Sequence, residues 1–384
     1  GLGDVYKRQG IIISYFGLIY QKSLIKHMNS KIDEWYKFCD ELKEVGRIIS
    51  ETSDNAIDEN EGFRYVLRLL RLSTEMYFEH CNPEHSSFYC LSHETGKIGA
   101  DNPDNHYLNA NIDSNNSYLI EGNIGGVEYL SIGVKENRYS LDGTMVSHDE
   151  IDLEKIDIDQ DGNFQVTLKR GNNQNKNSLN LEPASNMIIV RQTYKNKTTD
   201  KKAVLQIKNT SSSCKSDILS DKKFTEHLSQ SLDFVKGTVN TFNEWVNIFK
   251  KDHMNALPLG NQKFFQAAGG DPNIQYHHGY FKFKSDECMV IQSKIPVCEY
   301  WNFQLENNWM ESLDYRFYPI HINSHTADLD ENEFIIHVTH EPIDAKNNII
   351  TCGRENGAML LRWIGANEQT IPKVKIVKID KLND

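Results

Sequence analysis

The 384-residue chain contains no CxxC pair, no GxGxxG or Walker loop between a strand and a helix, no GxSxG elbow and no HExxH helix. Dinucleotide and nucleotide cofactors, a nucleophile elbow and a zincin site therefore have no local support. Positive charge is also scarce, with 42 Lys and Arg against 54 Asp and Glu and a net charge of −12. Phosphate backbones demand concentrated Lys and Arg, so a nucleic-acid partner is not expected. The longest apolar run, IIISYFGLIY at 11–20, is too short to span a bilayer, and no membrane association is expected. Seven cysteines stand at 39, 81, 90, 214, 288, 298 and 352 without regular spacing. That scatter indicates neither a zinc ribbon nor a disulfide framework and suits a reducing cytoplasm. No cofactor and no metal are expected.

At 384 residues, with 39% hydrophobic content, the chain is long enough for two modules that share an interface. Residues 1–27 read as a non-native leader or read-through, with Met28 as the natural start, because GLGDVYKRQ resembles translated adaptor sequence. Residues 28–90 read as a helical segment. Trp35, Cys39, Leu42, Val45 and Ile49 recur at three- and four-residue intervals, and Phe63, Val66, Leu67, Leu70 and Met76 repeat the pattern over 59–78. The polar SDNAIDEN between them supplies turn and capping residues, which makes a helical hairpin.

From residue 105 the period falls to two. Strands are expected at 106–112, 117–122, 127–134, 163–169, 186–194 and 202–208, forming a first β module over 91–215. A helix over 222–250 follows, with Phe224, Leu228, Leu232, Val235, Val239, Phe242, Val246 and Phe249 in helical rhythm. With strands at 279–284, 288–295, 298–306, 316–323, 333–339, 358–364 and 373–379 it makes a second module over 216–384. The fold class expected is α+β, predominantly β, with jelly-roll-like antiparallel sandwiches, an N-terminal helical hairpin and a long central helix. Lysines 373, 375 and 378 in the last strand suit an edge.

Three stretches invite chemistry. DIDQDGNF, 157–164, matches the opening of a calcium loop, but Leu168 stands where the bidentate glutamate belongs, and Asp-Gly between alternating runs marks a hairpin. Among the histidines, His321 and His325 share a strand face while His337 and His340 point oppositely, so individually hydrogen-bonded histidines are expected rather than a metal site. In YWNFQLENNWMESLDY, 300–315, Trp301, Phe303 and Leu305 form a core face. Tyr300, Asn302, Gln304 and Glu306 form the other, which faces either solvent or a pocket for a polar ligand. GGDPN at 269–273 reads as a turn. In GADNPDNHYLNANID, 99–113, a turn at Asn102 to Asn105 precedes a strand with His106, Leu108, Ala110 and Ile112 on one face and Tyr107, Asn109, Asn111 and Asp113 on the other.

The runs GGDPNIQYHHGYF, YWNFQLENNWMESLDYR, VTHEP and TCGRENGAMLLRW, with EGFRYVLRLLR, GADNPDNHYLNANID and MIIVRQTY before them, resemble bacterial proteins with a C-terminal domain of unknown function 1214. The resemblance implies a largely β, jelly-roll-like architecture and carries no established reaction. It directs attention to Asp101, Asn102, Asp104, Asn105, Tyr107, Arg191, Gln192, Trp301, Gln304, Asn308, Trp309, Asp314, His325, His340, Arg362 and Trp363. This chain departs from that pattern at His106, at Glu341 to Ile343, at Asn348-Ile349 and at Gly353-Arg354, where relatives have Gly-His.

The function expected is binding or processing of a small polar or amphipathic metabolite. Catalytic candidates are Asp101, Asp104, His325 and His340. Ligand-binding candidates are Tyr107, Arg191, Gln192, Asn302, Gln304, Asn308, Trp309, Asp314 and Arg362. The alternative is a non-enzymatic interaction or assembly module, with a homo-oligomer as one form of it.

Overall fold

The computed structural model describes residues 31–171, 175–197, 199–211 and 218–382. The expected leader at 1–27, the apolar run at 11–20, Met28 and Cys214 lie outside the described residues.

Helix α1 (31–52) and helix α2 (Ala56–Thr74) form the expected hairpin. Asn55 caps α2, its side chain accepting from the backbone N–H of Ile57 and Asp58, and the helix continues into a π turn at Glu75–Glu79. The buried stripe of α2 carries Gly62, Tyr65, Val66, Leu69 and Leu72. Gly62 fixes which face turns inward, since a Cβ there would lie 2.6 Å from the Trp309 ring. Phe63 and Leu67, which the periodicity groups with Val66, are consequently 43% and 68% exposed.

The first β module holds β1 (Asn105–Asn111), β2 (Tyr118–Asn123), β3 (Tyr129–Arg138), β4 (Thr144–Asp152), β5 (Asn163–Lys169), β6 (Ser178–Asn180), β7 (Met187–Thr193) and β8 (Val204–Asn209). They form two sheets, ordered β1-β7-β3-β4 and β6-β5-β2-β8. Between the sheets lie Ile120, Leu130, Ile132, Val166, Leu168, Ile188 and Val190. Strand β4 is absent from the expected strands because Ser147 and Glu150 on it turn toward Lys135 of β3 on the outer face of the sheet, so its alternation is masked by polar residues. Asp159 to Gly162 does form a turn, with the Gly162 N–H donating to the Asp159 carbonyl at 3.1 Å. The expected hairpin is nonetheless corrected: β4 pairs with β3 and β5 with β2 and β6, so the turn carries the chain from one sheet to the other.

Helix α3 (Asp221–Asp252), capped by Ser220, and the short α4 (Gln262–Ala267) separate the two β modules in sequence. The second module holds β9 (Ile274–Lys282), β10 (Glu287–Lys294), β11 (Tyr300–Leu305), β12 (His321–Asn323), β13 (Leu329–Asp330), β14 (Glu333–Thr339), β15 (Asn348–Ile350), β16 (Asn356–Ile364) and β17 (Lys373–Lys378). Its sheets run β12-β11-β16-β9 and β13-β14-β10-β17, with β15 parallel to β14. Trp301, Phe303, Leu305, Leu361 and Trp363 fill this sandwich. The strand expected at 316–323 shrinks to its last three residues because the backbone N–H groups of Phe317 and Tyr318 turn back onto the Asp314 carbonyl.

A third core joins the two. The outer face of the β1-β7-β3-β4 sheet, with Met187 and Ile189, and that of the β12-β11-β16-β9 sheet, with Tyr276, Tyr300 and Leu360, pack with Phe234, Phe242, Trp245 and Phe249 of α3. Both sheets are thus covered on two sides. Every residue of β7 and of β11 is buried.

Candidate functional site

The segment from Lys97 to Asn105 passes between the two sandwiches as a strap. Gly99 and Ala100 take positive φ values of 57° and 60°, which turns the chain into the junction. From there the strap is bonded to the second module residue by residue. The Ala100 N–H donates to the Met310 carbonyl at 2.7 Å, and Arg362 Nη2 donates to the Ala100 carbonyl. Gln304 Nε2 donates to the Asp101 carbonyl at 2.9 Å and Asn302 Nδ2 to Asn102 Oδ1 at 2.7 Å. The Asp101 carboxylate accepts from Ser312 N at 2.9 Å and Ser312 Oγ at 2.8 Å. The expected turn is present, with Asn105 N donating to the Asn102 carbonyl at 3.0 Å and Asp104 N to Asn102 Oδ1 at 3.0 Å.

Asp104 is the buried anchor of the strap. Its carboxylate accepts from Tyr300 OH at 2.5 Å, Asn323 Nδ2 at 3.0 Å and His321 Nε2 at 3.2 Å. Burial alone would raise its pKa, but His321, Tyr300 and Asn323 hold the carboxyl below the usual range. A carboxylate and a histidine do meet here, yet the histidine is His321. The candidates His325 and His340 are corrected: His325 lies exposed on the turn after β12, and His340 Nε2 faces the Phe283 carbonyl at 3.2 Å. Asp101 and Asp104 themselves have carboxylate oxygens bonded to Ser312 and to Tyr300, His321 and Asn323 of the second module.

Beside the strap lies a cavity of about 140 Å³. Its polar lining residues are Asn105, Tyr107, Asn109 and Arg191 from the first module and Tyr276, His278 and Arg362 from the second. Its apolar lining residues include Phe234, Phe242 and Trp245 of α3, Phe265 of α4, and Ile189 and Leu360 from the two sheets. The alternation along β1 supplies Tyr107 and Asn109 to it and sends Ala110 and Ile112 into the first sandwich. His278 is held between aromatic rings, its ring 4.9 Å from that of Phe249, and burial pushes its pKa well down, so it is neutral.

A charged cluster supports the cavity floor. Lys135 Nζ, fully buried, contacts Glu150 Oε2 at 2.7 Å and Ser147 Oγ at 2.9 Å. Arg191 Nη1 lies 3.4 Å from Glu150 Oε1 and 3.9 Å from Asp271 Oδ2, while its Nη2 donates to the Gly269 carbonyl at 2.5 Å. Tyr129 OH and Ser131 Oγ each donate to Asp271 Oδ2 at 3.3 Å. Burial would raise the Glu150 carboxyl, but Lys135 and Arg191 hold it down; burial and the neighbouring Glu150 push Asp271 up.

Of the expected ligand residues, Tyr107, Arg191 and Arg362 line the cavity, with Asn302 and Gln304 behind Arg362. The others lie away from it. Gln192 points into the first sandwich, its Oε1 accepting from Tyr194 OH and the Ala203 N–H, because β7 alternates about Arg191. Asn308 bonds to Tyr280 OH and Asn356, Trp309 donates to the Asp58 carbonyl of α2, and Asp314 pairs with Arg316 at the surface. Arg354 forms an ion pair with Glu61 of α2. Tyr276, His278 and the α3 aromatics are cavity residues that motif reading missed. The available signal was the alternation Tyr276, His278, Tyr280 along β9, which puts all three on one face.

Glu306, fully buried at the end of β11, accepts from Gln304 Nε2 at 2.8 Å through Oε1, and burial pushes its pKa up to about 8. A folded pKa above the unfolded value means the folded state holds the extra proton, so stability falls as pH rises from about 4 toward 8. Glu306→Gln is expected to remove this slope, raising the unfolding midpoint at pH 8.5 relative to wild type while changing it little at pH 4.5. Parallel thermal melts across that range check it, and an unchanged slope in the variant would count against a buried neutral carboxyl.

Among the described residues no group of three or more His, Cys, Asp or Glu is placed to hold a metal ion, and no helix is long and apolar enough to cross a membrane. No protein-family model matches the sequence, and no curated protein does. Among solved structures, the chain is similar to the crystal structure of an uncharacterized protein from Burkholderia cenocepacia, with a TM-score of 0.88 and 35% identity over 91% of this chain and 98% of that one. A protein from Vibrio parahaemolyticus covers 82% of this chain and 98% of its own at 12% identity, and its TM-score of 0.48 supports no inference.

Proposed function

We propose that this chain, which belongs to the same family as the uncharacterized Burkholderia cenocepacia protein, binds a small polar or amphipathic organic molecule in the cavity between its two β modules. The observation that carries this reading is a cavity lined both by hydrogen-bonding side chains, Tyr107, Arg191 and Arg362, and by the aromatic side chains of Phe242, Trp245 and Phe265. Binding is favoured over catalysis because the carboxylates nearest the cavity are engaged in the strap or in the Lys135 cluster.

The test is a thermal-shift screen of small metabolites on the full chain and on Leu360→Trp, which fills the cavity. Ligands that raise the wild-type midpoint should leave the variant unmoved. A screen in which hits shift both proteins equally would place binding elsewhere.

The second module is assigned to the domain of unknown function 1214 on the motif runs quoted above. Scattered cysteines support a cytoplasmic setting, and the charge of −12 supports the absence of a nucleic-acid partner. Phe63 and Leu67, exposed one turn apart on α2, support self-association, which light scattering would measure.

A further inference from the structure

Two arginines line the cavity, and their surroundings differ. Arg191 has Glu150 within 3.4 Å. Arg362 is only 4% exposed, and among the described residues no carboxylate oxygen lies within 4 Å of its guanidinium. Its bonds run to neutral acceptors: Nη1 to Gln304 Oε1 at 2.6 Å and Asn302 Oδ1 at 3.5 Å, and Nη2 to the Ala100 carbonyl. A guanidinium has five N–H donors, so two remain without an acceptor among the described residues. Burying a cation without an anion is costly, and the cost is offset only when an anion arrives.

The nearest acids do not fill that role. Asp101 has both oxygens bonded to Ser312 and lies near Lys97. Glu306 is held by Gln304 and, with its pKa pushed up to about 8 by burial, is protonated at neutral pH. A second donor faces the same cavity. Tyr107 OH accepts from the Asn102 N–H at 3.1 Å and Asn105 Nδ2 at 3.3 Å, which leaves its own hydrogen without an acceptor among the described residues. Asn102 in turn accepts from Asn302, which faces Arg362, so the two sets of donors are linked through one strap residue.

We infer that the cavity's ligand is a small organic monocarboxylate, its carboxylate received by Arg362 and Tyr107 and its compact apolar body by Phe242, Trp245 and Phe265. The inference rests on the binding reading above and names the ligand class for it. One carboxylate suffices because Arg191 is already neutralised by the Glu150 cluster. The size follows from the volume: about 140 Å³ is close to the ~150 Å³ apolar cavity that admits benzene in another protein. A body the size of a phenyl ring or a branched aliphatic chain therefore fits.

The experiment is calorimetric titration of the full chain with benzoate and with benzamide, which share a body and differ in charge, repeated on Arg362→Gln. Benzoate is expected to bind wild type at least about tenfold more tightly than benzamide, and the ratio is expected to fall to about one in the variant. If benzamide binds wild type as tightly as benzoate, the carboxylate assignment is overturned while the binding reading stands. If neither saturates, both fall. A folded Arg362→Gln protein that keeps the benzoate preference would overturn the role of Arg362; the wild-type comparison decides the ligand class even if that variant does not fold.

Discussion

Glu150→Ala is expected to destabilise the protein by about 3–5 kcal/mol, as when one partner of a buried ion pair is removed. Glu150 sits between Lys135, which has no exposed side-chain surface, and Arg191, so alanine removes the nearest counter-charge of two buried cations at once. Burial already lowers the Lys135 pKa, and without Glu150 the ammonium loses its nearest counter-charge. Chemical denaturation of wild type, Glu150→Ala and the double variant Lys135→Met with Glu150→Ala measures the effect. The double variant should regain part of the loss, since methionine fills the space of the lysine without its charge. A single-variant loss below about 1 kcal/mol would contradict a desolvated pair.

Asp104→Ala should be comparably severe, again about 3–5 kcal/mol, because Tyr300, Asn323 and His321 all lose their shared acceptor inside the junction. The pH dependence follows from the direction of the shift. Asp104 has a folded pKa below its unfolded one, so its stabilisation is fully present above the unfolded value near 4 and disappears as pH falls through the lower folded value. Wild type should therefore lose stability below about pH 4 more steeply than Asp104→Ala. Unfolding midpoints at pH 7 and pH 3 test both parts: equal acid sensitivity in the two proteins would mean that Asp104 is not held ionised by the junction.

Much of this architecture was legible where burial and periodicity agree. The α3 rhythm from Leu228 to Phe249, the two faces of β1 about Tyr107 and the two faces of β11 about Trp301 all follow from side-chain direction alone. What hid was whatever the protein buries in polar form. Lys135, Glu150 and Asp271 look like surface residues in the sequence, and so β4 and the charged cluster behind Arg191 went unseen. The motifs brought Asp101, Asp104, Asn302, Gln304 and Arg362 together as a neighbourhood without showing that its hydrogen bonds join the two modules. Among the histidines it is His321 that meets a buried carboxylate. His321 and His325 share a strand face only while the strand lasts, and β12 ends at Asn323.

Asp271 gives the charged cluster a direction in time. Lys135, Glu150 and Arg191 all emerge from the ribosome with the first sandwich, whereas their last partner is encoded beyond α3 and α4. A nascent chain that has completed β8 must carry two cations and one carboxylate on an open sheet face, hydrated, until the remaining residues arrive. Water is a good solvent for those charges and a poor one for the aromatic side chains of α3. Vectorial synthesis thus meets a first module whose outer face is tolerable while it waits, and its burial is coupled to the arrival of the helix and sheet that dry it.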